Sequence, residues 1–74
     1  MRVRANWKQG KVAEDGLIRV HKIREDQPNS CRFEEMTDFQ DFNSEEEAKE
    51  AIKNKGYSKY KRCKYCWDGK IIEI

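Results

Sequence analysis

The chain predicts a small α+β domain: an antiparallel sheet, made of a meander plus a C-terminal strand, packed against one main helix. Three observations carry that expectation. Residues 2–8 alternate between apolar and polar side chains, the period of a half-buried strand. Residues 44–55 hold the start, face and stop signals of a helix. Near the end stands Cys63-Lys64-Tyr65-Cys66, two thiols spaced to share one tight turn around a metal ion, a zinc knuckle.

With 74 residues, 41% of them charged and 36% apolar, the chain reads as a single domain, residues 1–74, with a thin core. Domains of this size commonly need a staple. A structural Zn²⁺ would supply one, since such ions bind small peptides with roughly 10–16 kcal/mol coupled to folding. Two Trp, three Tyr and three Phe argue against disorder. An odd number of cysteines, and an opening Met1 to Trp7 without an apolar segment, point away from a secreted disulfide scaffold and toward a reducing cytoplasm. No apolar run reaches membrane-spanning length, so no membrane role is expected, and the domain is expected to be a monomer.

The net charge of +2 hides a partition. Residues 1–24 carry +5, residues 25–50 carry −8 and residues 53–70 carry +6. Such a chain either pairs its own segments or shows separate faces to a partner.

In order, Val3, Ala5 and Trp7 form the buried side of the first strand, with Arg2, Arg4, Asn6 and Lys8 opposite. Gln9-Gly10 reads as a turn and Lys11 to Glu14 as a short return strand. Asp15-Gly16 reads as a hairpin turn, because its residues tolerate positive φ. Leu17 to Ile23 is the next strand, with His21 on the face of Leu17, Arg19 and Ile23. Pro28-Asn29-Ser30 marks a loop. Phe33, Met36, Phe39 and Phe42 recur every three residues, which suits a helical turn, a 3₁₀ piece or a loop pinned by aromatics. Ser44 caps the main helix, with Glu47 reaching back to complete a capping box. Ala48, Ala51 and Ile52 form its apolar stripe, and Gly56 is its left-handed stop. Asp68-Gly69 then turns the chain into a last strand, Lys70 to Ile74.

The candidate metal ligands are Cys31, Cys63 and Cys66 with His21, the sole histidine. Should His21 stand apart, Asp26, Asp68 or water would complete the shell. Two ordinary reduced thiols and a redox dithiol are the lesser readings of Cys63 and Cys66, the latter because such motifs open a helix inside a βαβ unit. The segment from Tyr57 to Trp67 interleaves Lys59, Lys61, Arg62 and Lys64 with Tyr60, Tyr65 and Trp67. Cations neutralise phosphates and aromatic faces stack on unpaired bases, so the candidate nucleic-acid residues are Lys59, Tyr60, Lys61, Arg62, Lys64, Tyr65 and Trp67. The competing reading is a solvated basic face whose aromatics cover the knuckle. No catalytic constellation is present: no nucleophile elbow, no Gly-rich phosphate loop, and a histidine already assigned.

With these residues in view, Val20-His21, Cys31, Phe42, Ser44 to Ala48, Gly56-Tyr57 and Cys63-x-x-Cys66 stand in the order of a known module. The chain resembles, over about residues 18–67, the small zinc-binding modules of adaptive-response DNA-repair methyl-acceptor proteins, also appended to some bacterial nucleases. The family sets its first two ligands close together, whereas His21 and Cys31 are further apart. Aligned on Gly56-Tyr57, Tyr60 holds the place of the family's first late cysteine, Cys63 matches the second and Cys66 is extra. The residues and the resemblance together imply a non-enzymatic zinc-binding module that contacts nucleic acid, single-stranded for preference. A protein–protein adaptor using the acidic helix face is the alternative, and a zinc-thiolate methyl acceptor the third.

Overall fold

The computed structural model describes residues 1–24 and 31–74; the expected loop at Pro28-Asn29-Ser30 lies outside them. Five strands form one sheet. β1 (Val3–Asn6) lies between β2 (Arg19–Lys22) and β3 (Phe39–Phe42), β2 pairs also with β4 (Lys59–Arg62), and β5 (Ile71–Glu73) closes the far edge. The order is β3-β1-β2-β4-β5, and every pairing is antiparallel except β2 with β4. α1 (Trp7–Val12) lies between β1 and β2; the parallel pair arises because β3 runs in the direction of β2 and α2 (Glu45–Asn54) carries the chain from β3 across the sheet to β4. A crossover of that kind returns a strand in the same direction, which a tight hairpin cannot.

The class is the expected α+β, but the opening meander is not formed. Residues 11–14 make no return strand; they end and follow helix α1. The reason is tertiary. The backbone N–H groups of Trp7 and Lys8 both donate to the Asp38 carbonyl, at 2.8 and 3.4 Å, which takes the chain out of the β1 ladder. Gly10 then lets the helix close on its neighbours: a Cβ there would lie 2.6 Å from Tyr57 Oη and 2.9 Å from Ile18 Cγ1. Asp15-Gly16 does turn, with Gly16 at φ +69°, but it follows a helix instead of closing a hairpin.

α2 forms as its signals require. The Ser44 side chain accepts from Glu47 N–H, and Glu47 Oε2 accepts from Asn43 N–H, one residue earlier than a strict capping box. At the other end Gly56 N–H donates to Lys53 C=O and Tyr57 N–H to Ile52 C=O, a Schellman stop with Gly56 at φ +98°. Ala48 and Ile52 are buried against Val3, Ala5, Ile18, Val20 and Tyr60, which together form the core on one sheet face. The recurrent phenylalanines resolve into a 3₁₀ turn, Phe33–Glu35, and β3, an edge strand absent from the sequence reading. Among the described residues no helix is long and apolar enough to cross a membrane.

Candidate metal centre

The opposite sheet face carries the polar side of β1 and β2. Arg4 pairs in register with His21 on one side and with Asp41 on the other. Its guanidinium grips the Asp41 carboxylate at 2.6 and 3.1 Å and lies over the rings of Phe33 and Phe39, 4.4 and 3.9 Å from their centroids. Phe33 in turn stands edge-on to His21, with centroids 5.8 Å apart. Phe33 N–H donates to the Cys31 carbonyl at 2.9 Å, so this stack seats the 3₁₀ turn and delivers Cys31 beside His21. Sequence reasoning missed Arg4 and Phe33 as positioning residues; the one available signal was a basic residue on the polar side of the first strand.

Cys63 and Cys66 arrive from the other direction. The parallel ladder sets Cys63 N–H on the Val20 carbonyl at 2.9 Å, and Trp67 N–H closes the knuckle on the Cys63 carbonyl at 2.9 Å. A strand that ends beside His21 therefore starts the thiol turn at the level of the imidazole.

The four donor atoms of His21, Cys31, Cys63 and Cys66 all lie within 4.8 Å of one another. Cys31 Sγ is 3.4 Å from Cys63 Sγ, and Cys66 Sγ is 3.6 Å from His21 Nδ1. A tetrahedral zinc with bonds of about 2.0–2.3 Å holds its ligand atoms roughly 3.3–3.8 Å apart. The two closest pairs have about that spacing, and the thiols are free rather than bridged. Four residues are thus positioned to hold a metal ion. Asp68, the alternative fourth ligand, is engaged elsewhere with Arg62 and Lys70 N–H. Asp26, the other alternative, lies outside the described residues.

Burial and the neighbouring groups set the protonation of each donor. Burial, then the nearby Arg4 and Arg19, lower the His21 pKa to about 4, so the ring stays neutral and keeps a lone pair to donate. Burial, and then the neighbouring Cys63 and Cys66, push the Cys31 thiol up to about 12. Burial also opposes ionisation of Cys63, but N–H groups of Cys66 and Tyr65 outweigh it and hold that thiol below the ordinary 9.0. Burial raises Cys66, against a hydrogen bond from Lys22 N–H. A divalent ion among three thiols reverses the two upward shifts, because its charge favours every thiolate at once.

The proposed nucleic-acid segment divides sharply. Tyr60 is fully buried, its hydroxyl donating to Glu45 Oε2, so it is a core residue and offers no face to a base. Arg62 is held by Glu45 through two bonds of 2.9 Å and by Asp68 at 2.9 Å, so its charge is already paired. Trp67 is half-buried, with Lys22 and Arg62 over its ring at 5.2 and 4.6 Å. Lys59 and Lys64 are exposed, Lys61 is half-buried, and Tyr65 is 75% exposed. Comparison of the sequence with protein-family models and with curated proteins, and of the fold with solved structures, returned no match.

Proposed function

We propose that the chain is a structural zinc module that contacts single-stranded nucleic acid through its basic surface. The observation that carries the zinc reading is the Cys₃His donor set, gathered from β2, the segment before the 3₁₀ turn, and the turn after β4. Four protein donors leave a tetrahedral ion no open position, which favours a structural role over a catalytic one. The nucleic-acid reading is supported by Lys59, Lys61 and Lys64, which form no ion pair among the described residues, and by the exposed ring of Tyr65. Tyr60 and Arg62 drop out of that surface, and Trp67 serves it only at an edge.

Elemental analysis of protein purified without added metal tests the first half, with one zinc per chain expected; substoichiometric zinc overturns it. Fluorescence anisotropy with labelled oligonucleotides tests the second half. Binding to single strands at low salt, falling steeply as salt rises, is the expected result. A folded, zinc-loaded sample that binds no oligonucleotide moves the reading to the acidic helix face and a protein partner.

A further inference from the structure

The sheet face that carries the metal cluster continues into a cavity of about 640 Å³. That volume lies within the roughly 300–1,000 Å³ of small-molecule sites. Its floor is a single register row: Asn6 on β1 faces Arg19 on β2, and Arg19 faces Lys61 on β4. At about 4.8 Å between strands, the row spans roughly 10 Å. Lys8 of α1 and Lys64-Tyr65 of the knuckle stand on the walls, and His21, Cys31 and Cys63 line the end where the donor cluster lies.

The cavity holds unpaired positive charge. Arg19 is committed to Asp15, at 3.1 and 3.2 Å, and Arg32 to Glu35, the one acidic residue of the lining. Lys8 and Lys61 form no ion pair among the described residues, and the Lys64 ammonium lies 5.2 Å from the centroid of Tyr65. A second, independent observation concerns Asn6. The residue is 8% exposed, and its Oδ1 is buried without a hydrogen-bond partner. A buried acceptor without a donor is costly, and native proteins keep few of them. Asn6 also lines the cavity, and a half-turn about its χ2 would exchange the buried oxygen with the amide nitrogen and bring Oδ1 to the cavity. Beside these stands Tyr65, an aromatic face covered by nothing from the core.

We propose that this cavity seats one nucleotide, its phosphate drawn by Lys8, Lys61 and Lys64, an N–H of its base given to Asn6 Oδ1, and its ring against Tyr65. Bare phosphate has no use for the acceptor or the aromatic face, and an uncharged base has none for the lysines. The nucleotide is either free or an unstacked member of a single strand. In the second case the inference rests on the nucleic-acid reading and moves its centre from the 57–67 segment to the sheet face.

The test titrates zinc-loaded full chain with 5′-mononucleotides, the matching nucleosides, inorganic phosphate and a labelled single-stranded oligonucleotide, at low salt. Mononucleotides are expected to bind about tenfold more tightly than either nucleosides or phosphate, and to shift the amide resonances of Asn6, Arg19, Lys61 and Tyr65. The double change Lys8→Ala, Lys61→Ala is expected to cut that affinity by about tenfold, and Lys53→Ala, on the far helix, to leave it unchanged. Asn6→Ala is expected to weaken mononucleotide binding while the melting temperature holds or rises, since it removes an unpaired acceptor. Phosphate binding as tightly as mononucleotide, or resonance shifts confined to residues outside the row, overturns the cavity. Oligonucleotide binding that survives the Lys8 and Lys61 changes overturns the cavity and keeps the nucleic-acid reading. Mononucleotide binding without oligonucleotide binding supports the cavity and overturns that reading.

Discussion

Gly10 shows how one missing side chain decides a packing geometry. Alanine is the better helix former by about 1 kcal/mol, so on local grounds Gly10→Ala would stabilise α1. Its Cβ would meet Ile18, fully buried, and the Tyr57 hydroxyl, both inside 3.0 Å. Overpacking of that kind costs about 1–3 kcal/mol and outweighs the propensity gain. Gly10→Ala is therefore expected to lower the melting temperature of the zinc-loaded protein, and an unchanged or higher value would show that α1 can shift. His21 and Cys31 make the matching pair for the metal. His21→Ala and Cys31→Ser are each expected to weaken zinc binding and lower stability by similar amounts, measured by competition with a chromophoric chelator. Should only the cysteine change matter, the fourth ligand is not His21.

The element that ties the layers together is the first turn of α2. Glu45 reaches from it to Arg62 at the end of β4, and Arg62 reaches on to Asp68 in the turn beyond the knuckle. Tyr60 hangs its hydroxyl on the same carboxylate. Burial opposes the charge on Glu45, but the hydrogen bonds from Arg62 and Tyr60 prevail and hold its pKa below the ordinary 4.5. A carboxyl depressed in the fold adds stability that is complete above the unfolded value and lost as pH falls through the folded one. Thermal melts from neutral pH downward are therefore expected to fall below about pH 4.5, with part of that fall due to this group. Glu45→Gln is expected to cost about 1.5–3 kcal/mol at neutral pH, the range for hydrogen bonds to charged groups, and to flatten the acid limb. An acid limb identical in both proteins would assign the loss to other carboxylates. For the same reason Arg62→Ala would break this half-buried brace as well as remove a surface charge.

Across the whole molecule, the alternating blocks of charge fold onto one another. Arg4 pairs with Asp41, Lys11 with Asp38 and Arg62 with Glu45, each joining a basic block to the acidic one. The core proper covers one sheet face, and Phe33, Arg4 and the donor cluster cover part of the other. A domain with one such layer depends on what fills the second, and a bound ion contributes its binding energy directly to folding. With the site filled as proposed, removal of the metal by a strong chelator is expected to lower the melting temperature substantially and to loosen Cys31 and the 3₁₀ turn first, as amide exchange would register. An unchanged melt after verified metal loss would show that the apolar layer suffices alone.

Features that depend on near neighbours are legible in the order of the residues. The Ser44 cap, the apolar stripe of α2 and the Gly56 stop are all written within a few residues of where they act, so the helix was legible to its ends. The Cys63-x-x-Cys66 turn was legible for the same reason, and the scarcity of His and Cys narrowed the other donors to His21 and Cys31. Only the tertiary structure decided which strand lies beside which. Whether residues 7–12 coil or extend rests on the Asp38 carbonyl and on Tyr57, far along the chain. The β3 edge strand has a weak pattern of its own and is held by β1. Tyr60 and Arg62 read as a surface because their chemistry suits one; the parallel seat beside β2 turned both toward α2, where Glu45 was waiting for a hydroxyl and a guanidinium. The cavity on the other face needed three strands in register before Asn6, Arg19 and Lys61 became neighbours, and no local spacing encodes that row.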